Sequence, residues 1–249
     1  MAQRAWISIA AAAAAAVATT AWAAVPPNIA AALADKGRPA EEAARDAARK
    51  PGELLEWAGL KPGDKAVDLV MGGGYFTRIM AVAVGPKGHV WSYQPSEFIQ
   101  FSAKYGESLK AVSAAYDNVT PDDQSLAGLD LPAGMDFVMT VQNYHDFHLK
   151  PFPADTAAKV NAAVYKALKP GGVYVIVDHA AESGAADAPD ALHRIDPAAV
   201  KQEVEAAGFK LVGESPLLRN PDDPHTASVF DASIRGKSDQ FALKFRKPG

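Results

Sequence analysis

Cysteine is absent from the chain, which excludes disulfides, thiolate metal sites, cysteine nucleophiles and an N-terminal lipid anchor of the bacterial type. A basic excess is absent too: 25 Lys and Arg stand against 29 Asp and Glu, a formal net charge of −4. A surface that binds a duplex must neutralise phosphates, so no nucleic-acid partner is expected. There is no internal repeat, and no low-complexity segment beyond the alanine-rich start. What is present is a 49% hydrophobic complement over 249 residues, enough for a full-sized core in one compact domain. Chemistry is left to His, Asp, Glu, Lys, Tyr and backbone groups, and a small or neutral ligand fits that inventory best.

The start reads as a targeting segment. Arg4 supplies a positive end, residues 5–17 are apolar, and Ala21-Trp22-Ala23 has the small-x-small form of a cleavage site. A secretory signal over residues 1–23 is therefore expected, which places the remainder in the periplasm or outside the cell. The alternative is an uncleaved anchor, because residues 5–25 are long enough to span a bilayer before Pro26-Pro27 ends the helix. Membrane contact is then limited to export or to that anchor.

Residues 24–60 read as a helical cover and 61–249 as an α/β domain. Helices are expected at 39–50 and 51–60, the second with an apolar side made by Leu54, Leu55 and Trp57. Strands at 65–70, 89–93, 135–141 and 173–178 alternate with helices at 75–84, 96–105 and 155–168. Short apolar strands separated by helices indicate a parallel sheet covered on both faces. A helix at 197–207, a strand at 209–213, a polar loop of about 20 residues and a last strand at 240–245 complete the chain.

The most informative stretch is Asp68-Leu69-Val70-Met71-Gly72-Gly73-Gly74, where an apolar strand carrying an acid runs into three glycines and then a helix. In open α/β sheets a nucleotide-bearing ligand meets backbone N–H groups at such a turn, because glycine lets the chain approach closely. Lys61-Pro62-Gly63-Asp64, Gly85-Pro86-Lys87-Gly88 and Leu168-Lys169-Pro170-Gly171-Gly172 each precede a strand. Together these segments resemble the class I S-adenosylmethionine-dependent methyltransferases over roughly residues 50–215. Asn143-Tyr144-His145-Asp146-Phe147, Asp178-His179 and Leu192-His193-Arg194-Ile195-Asp196 are similar to a family of bacterial methyltransferases, many of them secreted.

The resemblance implies a doubly wound, mainly parallel seven-stranded Rossmann-like sheet, with its antiparallel last strand beside 209–213. It implies S-adenosylmethionine as cofactor and an unidentified, small-molecule or other, methyl acceptor. Asp68, Gly72, Gly73 and Gly74 would then meet the methionine part, Gln94 the ribose, Asp123 the adenine, and Asn143 the methyl-transfer region. Two positions depart from the pattern: Val70 stands where another glycine is usual, and Gln94 where a carboxylate is usual. Losing a charge-assisted hydrogen bond there costs about 1–2 kcal/mol, roughly tenfold in affinity, so weak cofactor binding is expected. Gln94→Asp should strengthen it if Gln94 faces the ribose, and Glu97 is the substitute if it does not.

Four of the six histidines, His145, His148, His179 and His193, lie just past strand ends or in the following loops, and should converge above the glycine turn. His145 is the candidate base, with Asp146 to orient it and Tyr144 beside it as a further catalytic candidate. Tyr144 and Phe147 read equally as packing, Tyr75-Phe76 as core, and Asp178 as a loop cap. The same nitrogen and oxygen donors suit zinc, iron or manganese, but no HExxH or other strong spacing is present and no metal is assigned. A metal-binding protein or a non-catalytic small-molecule binder on the same scaffold is the alternative. The loop 219–238 reads as either a lid or a solvated connection.

Overall fold

Why the chain forms one sheet with two covered faces is visible in its alternation. In the computed structural model, which describes residues 25–249, Ala66, Phe137, Met139, Val175 and Val177 point to one face, and Val67, Leu69, Val138, Tyr174 and Ile176 to the other. Both sets are buried, so each strand must be covered twice.

The elements run α1 (Pro27–Leu33), α2 (Ala40–Ala43), α3 (Asp46–Arg49), α4 (Pro51–Ala58), β1 (Lys65–Leu69), α5 (Tyr75–Val84), β2 (His89–Tyr93), α6 (Ser96–Phe101), α7 (Ala103–Ala115), β3 (Val119–Asp122), β4 (Met135–Val141), α8 (Thr156–Ala167), β5 (Leu168–His179), α9 (Ala188–Leu192), α10 (Pro197–Ala206), β6 (Lys210–Ser215) and β7 (Gln240–Arg246). The sheet has seven strands in the order β3-β2-β1-β4-β5-β7-β6, with β7 antiparallel to both β5 and β6. The expected fold class is what is found. The residues on which the secretory-signal reading rests lie outside the described residues.

One apolar layer joins α1, α4, α5 and α7 to the sheet through Ile29, Leu54, Ile79 and Val112; the other joins α8 and α10 through Val160, Val164, Val200 and Val204. The N-terminal cover is tied down by polar bonds as well. Asp46 accepts from Arg38 at 2.6 and 2.9 Å and from the Tyr75 hydroxyl at 2.6 Å, while Arg78 pairs with Glu42 at 2.7 Å.

Two expected helices change, and an edge strand is added. The helix expected at 39–50 is two short ones, because the N–H of Arg45 turns tightly back to Glu42 and Lys50 lies in the left-handed region at φ 43°. The helix expected at 96–105 breaks at Ser102, which is extended (φ −148°, ψ 116°), and a longer helix, α7, follows. The strand β3 carries Pro121, tolerated because β3 is an edge strand and needs no donor on its outer side.

Past β5 the chain is pinned by a buried ion pair. The side chains of Arg194 and Asp223 are both 0% exposed and bond at 2.8 and 3.1 Å; Arg194 also donates to the carbonyls of Ala180 and Ala227. Asp239 accepts from Arg219 and from His225, fixing the two ends of the 219–238 loop together. Removing one partner leaves the other charge buried alone, so Arg194→Met should lower stability by about 3–5 kcal/mol in chemical denaturation. A loss below about 1 kcal/mol, within the range of exposed pairs, would contradict this account.

Candidate active site

Parallel strands in register deliver their C-terminal ends to one edge. Asp68 of β1 lies opposite Met139 of β4, and Val141 of β4 opposite Val177 of β5, so the glycine turn, the 142–148 segment and Asp178-His179 meet there. Two cavities open at this edge, of about 950 and 210 Å³, and both are lined by Gln142 and Asn143.

The small cavity is built on the glycine turn. A Cβ placed on Gly72 or Gly73 would meet open space, so their backbone faces the cavity. Gly74 differs: its Cβ would strike Val112 at 2.5 Å, so this glycine admits α7 against the turn and does not line the cavity. Asp68 stands on one side, accepting from the Thr77 hydroxyl at 2.6 Å, and burial pushes its pKa up to about 6. The same cavity is lined by Arg45 and Arg49 of the N-terminal cover. Arg49 lies 4.3 Å over the Tyr75 ring and 5.1 Å over Phe76, and its polar contact is the Gln142 carboxamide at 3.3 Å. Burial lowers its pKa to about 10, well above neutrality, so it keeps its charge.

The large cavity carries the acid–base groups. Asp178, wholly buried, accepts from the backbone N–H of His145 at 2.7 Å, from that of His179 at 2.7 Å, and bonds the His145 Nδ1 at 2.9 Å. The other ring nitrogen of His145, Nε2, faces an Asp146 oxygen at 3.3 Å. Burial works against charge on His145, but Asp178 and then Asp146 outweigh it and raise its pKa. Burial raises Asp146 to about 6 and lowers His179 to about 4, and His193 is lowered by burial and by His145.

A donor trio is also present. His145, Asp146 and His193 each offer an atom within 4.8 Å of the others, the one such group found among the described residues. Ligands of a single tetrahedral zinc stand roughly 3.4 Å apart. His193 Nδ1 stands 4.0 Å from the Asp146 carboxylate, wider than that spacing.

No family model matches the chain. Over 125 residues, 49% of this chain, it is 32% identical to protein-L-isoaspartate O-methyltransferase of Ignicoccus hospitalis, and it spans about half (51%) of that relative. A SAM-dependent methyltransferase from Aquifex aeolicus superposes with a TM-score of 0.56, covering 81% of this chain and 97% of its own at 16% identity. The CcbJ methyltransferase of Streptomyces caelestis gives 0.55, with 85% and 91% covered at 16% identity. The chain has the class I methyltransferase fold.

Within that class I fold the expected residues divide. Asp68, Gly72, Gly73 and Asn143 line the small cavity; His145, Asp146 and again Asn143 line the large one. Asn143 donates to the carbonyls of Val70 and Val141 at 3.0 and 2.7 Å, locking the glycine turn to the end of β4. Gln94 is corrected. It is wholly buried, lines neither cavity, and its Oε1 accepts from the Gly72 N–H at 2.8 Å, so it braces the turn from behind, and Gln94→Asp is no longer expected to strengthen binding. Glu97 does line the large cavity. Tyr144 is corrected as well: its buried hydroxyl bonds Glu203 at 2.8 Å and Asn161 at 2.7 Å, away from the cavities, and His148 turns to Glu203 too, so three of the four histidines converge. Asp123 sits just past β3, exposed, and lines neither cavity.

Sequence reading missed two features. Asp178, and not Asp146, holds the His145 Nδ1, and Arg45 and Arg49 reach the small cavity from the N-terminal cover. Val70, at φ 65°, occupies the left-handed conformation for which glycine is usual, at a cost of order 1–2 kcal/mol for a β-branched residue. If Arg49 receives a ligand carboxylate, Arg49→Met should weaken S-adenosylhomocysteine binding by at least about tenfold in calorimetry while leaving folding intact. Unchanged affinity would remove Arg49 from the site.

Proposed function

We propose that this chain transfers a methyl group from S-adenosylmethionine to a hydroxyl or amine acceptor held in the large cavity. The observation that carries the proposal is the presence of Asp68, Arg45 and Arg49 around one cavity built on an open glycine turn. A carboxylate and two guanidinium groups around one cavity suit the ammonium and carboxylate ends of an amino acid, as in the methionine portion of that cofactor. The fold and the shared Gln142–Asn143 wall support it, since they join a donor site to an acceptor site.

When bound, the cofactor supplies an electrophilic methyl group on a positively charged sulfur. The chain's own residues align the acceptor and take its proton. Asp178 fixes the His145 ring through Nδ1 and the backbone; the imidazole in turn holds Asp146 at Nε2. Both ring nitrogens of His145 are engaged by carboxylates, so Asp146, in place of the expected His145, is the group that receives the proton, while Glu97, its carboxylate held by the Leu126 N–H at 3.1 Å, lines the same cavity. The isoaspartyl acceptor named for the Ignicoccus relative is not carried over, because no Lys or Arg lines the large cavity among the described residues. An exported protein, related to secreted methyltransferases, remains part of the proposal, resting on Arg4 and Ala21-Trp22-Ala23.

Calorimetry of the full chain tests the cofactor. Saturable binding of S-adenosylmethionine and S-adenosylhomocysteine is expected; no detectable heat at millimolar concentrations, with stoichiometric zinc or iron in the protein, would replace the proposal with a metal-binding one. For the proton acceptor, protonated Asp146 is inactive, so kcat/KM should rise with pH through about 6. Asp146→Asn should abolish that rise and lower kcat about a hundredfold or more, whereas Asp178→Asn should lower kcat and shift the profile. A profile unaltered in Asp146→Asn would assign the proton to another group.

A further inference from the structure

The large cavity has two aromatic walls from separate parts of the chain. Phe98, Tyr105 and Phe152 stand together on the side of Glu97, with ring centroids 5.9 and 6.4 Å from Phe98. On the side of the acid–base cluster, Phe230 meets His193 edge-on at 4.7 Å, with Val229 beside it. His193 Nδ1 is 4.0 Å from Asp146, and its ring is 5.4 Å from that of His145, so this second wall adjoins the proton acceptor.

Phe230 is 56% exposed, yet the loop that carries it is firmly held. The buried Arg194–Asp223 pair, the Arg194 bond to the Ala227 carbonyl, the Val229 N–H on Leu192 and the Asp239 carboxylate on Arg219 and His225 fix it on both sides of Phe230. His193 itself sits at φ 53°, a left-handed backbone that a non-glycine residue adopts at a cost. An exposed aromatic ring on an anchored loop, facing a strained histidine, is a surface kept ready for contact.

Charge narrows what it contacts. The charged side chains lining the cavity are Glu97, Asp146 and His145, whose imidazolium is already matched by Asp178 and Asp146, and among the described residues no Lys or Arg joins them. A carboxylate acceptor buried here would find no counterion that is not already paired, whereas an uncharged hydroxyl would meet Asp146.

We infer that the 219–238 loop selects the acceptor, and that Phe230 and His193 form a shelf admitting an uncharged, ring-bearing hydroxyl compound and rejecting carboxylates. The identity of the transferred group rests on the methyltransferase reading; the shelf's preference is read by binding alone. Fluorescence titration of the full chain, with and without S-adenosylhomocysteine, would compare a naphthol with the naphthoate substituted at the same ring position, at neutral pH. The naphthol should bind at least about tenfold more tightly, and Phe230→Ala should remove about tenfold of its affinity while S-adenosylhomocysteine affinity stays within about twofold. Because Phe230 is exposed, the variant should fold; retained thermal stability checks this. Equal binding of the two probes, or naphthol binding untouched by Phe230→Ala, overturns the inference. Naphthol preference without any S-adenosylhomocysteine binding leaves the shelf standing and removes the methyltransferase reading.

Discussion

A carboxylate with no access to water ties the end of β5 to the segment after β4, and the acid–base corner depends on it. Asp178 accepts two backbone N–H groups and one imidazole nitrogen, which offsets the loss of hydration that burial imposes. Those bonds, with His145 the first partner in strength, hold its pKa below the ordinary value despite burial. The imidazole is left with one free direction, toward Asp146 and the large cavity. Asp178 fixes the position of the histidine from the end of β5, and with Asp146 it favours the charged ring.

Much of the sheet was legible because strands buried on both faces read as apolar runs. The helix Tyr75–Val84 and the strands His89–Tyr93 and Met135–Val141 stand at the expected residues. The edge strand Val119–Asp122 was not legible as a strand, since it is short, carries a proline and is only partly buried. Within the site, the glycine turn and the Asn143–Asp146 segment carry their own local pattern. Asp178 and Arg49 do not, because what defines each is a partner distant along the chain. Gln94 shows the limit of transferring a position without its side-chain direction: the strand end is where expected, and the carboxamide points back at Gly72.

Strain is concentrated where the cavities meet. Val70, Gln142 and His193 all adopt left-handed backbone conformations at φ 65°, 64° and 53°, and each lines one or both cavities. Asn143 secures two of these bends together by bonding the Val70 carbonyl from the residue after Gln142. The apolar layers and the Arg194–Asp223 pair hold the surrounding frame that keeps such conformations populated.

The wall formed by Arg45 and Arg49 belongs to a segment whose attachment is itself an equilibrium. A ligand that needs both arginines binds only while that segment is seated on Tyr75 and Arg78, so by linkage it must favour the seated form in proportion to its own occupancy. Hydrogen exchange at α2 and α3 and saturation of the small cavity are then two readings of one thermodynamic quantity, although the helices contribute nothing to the sheet that defines the fold.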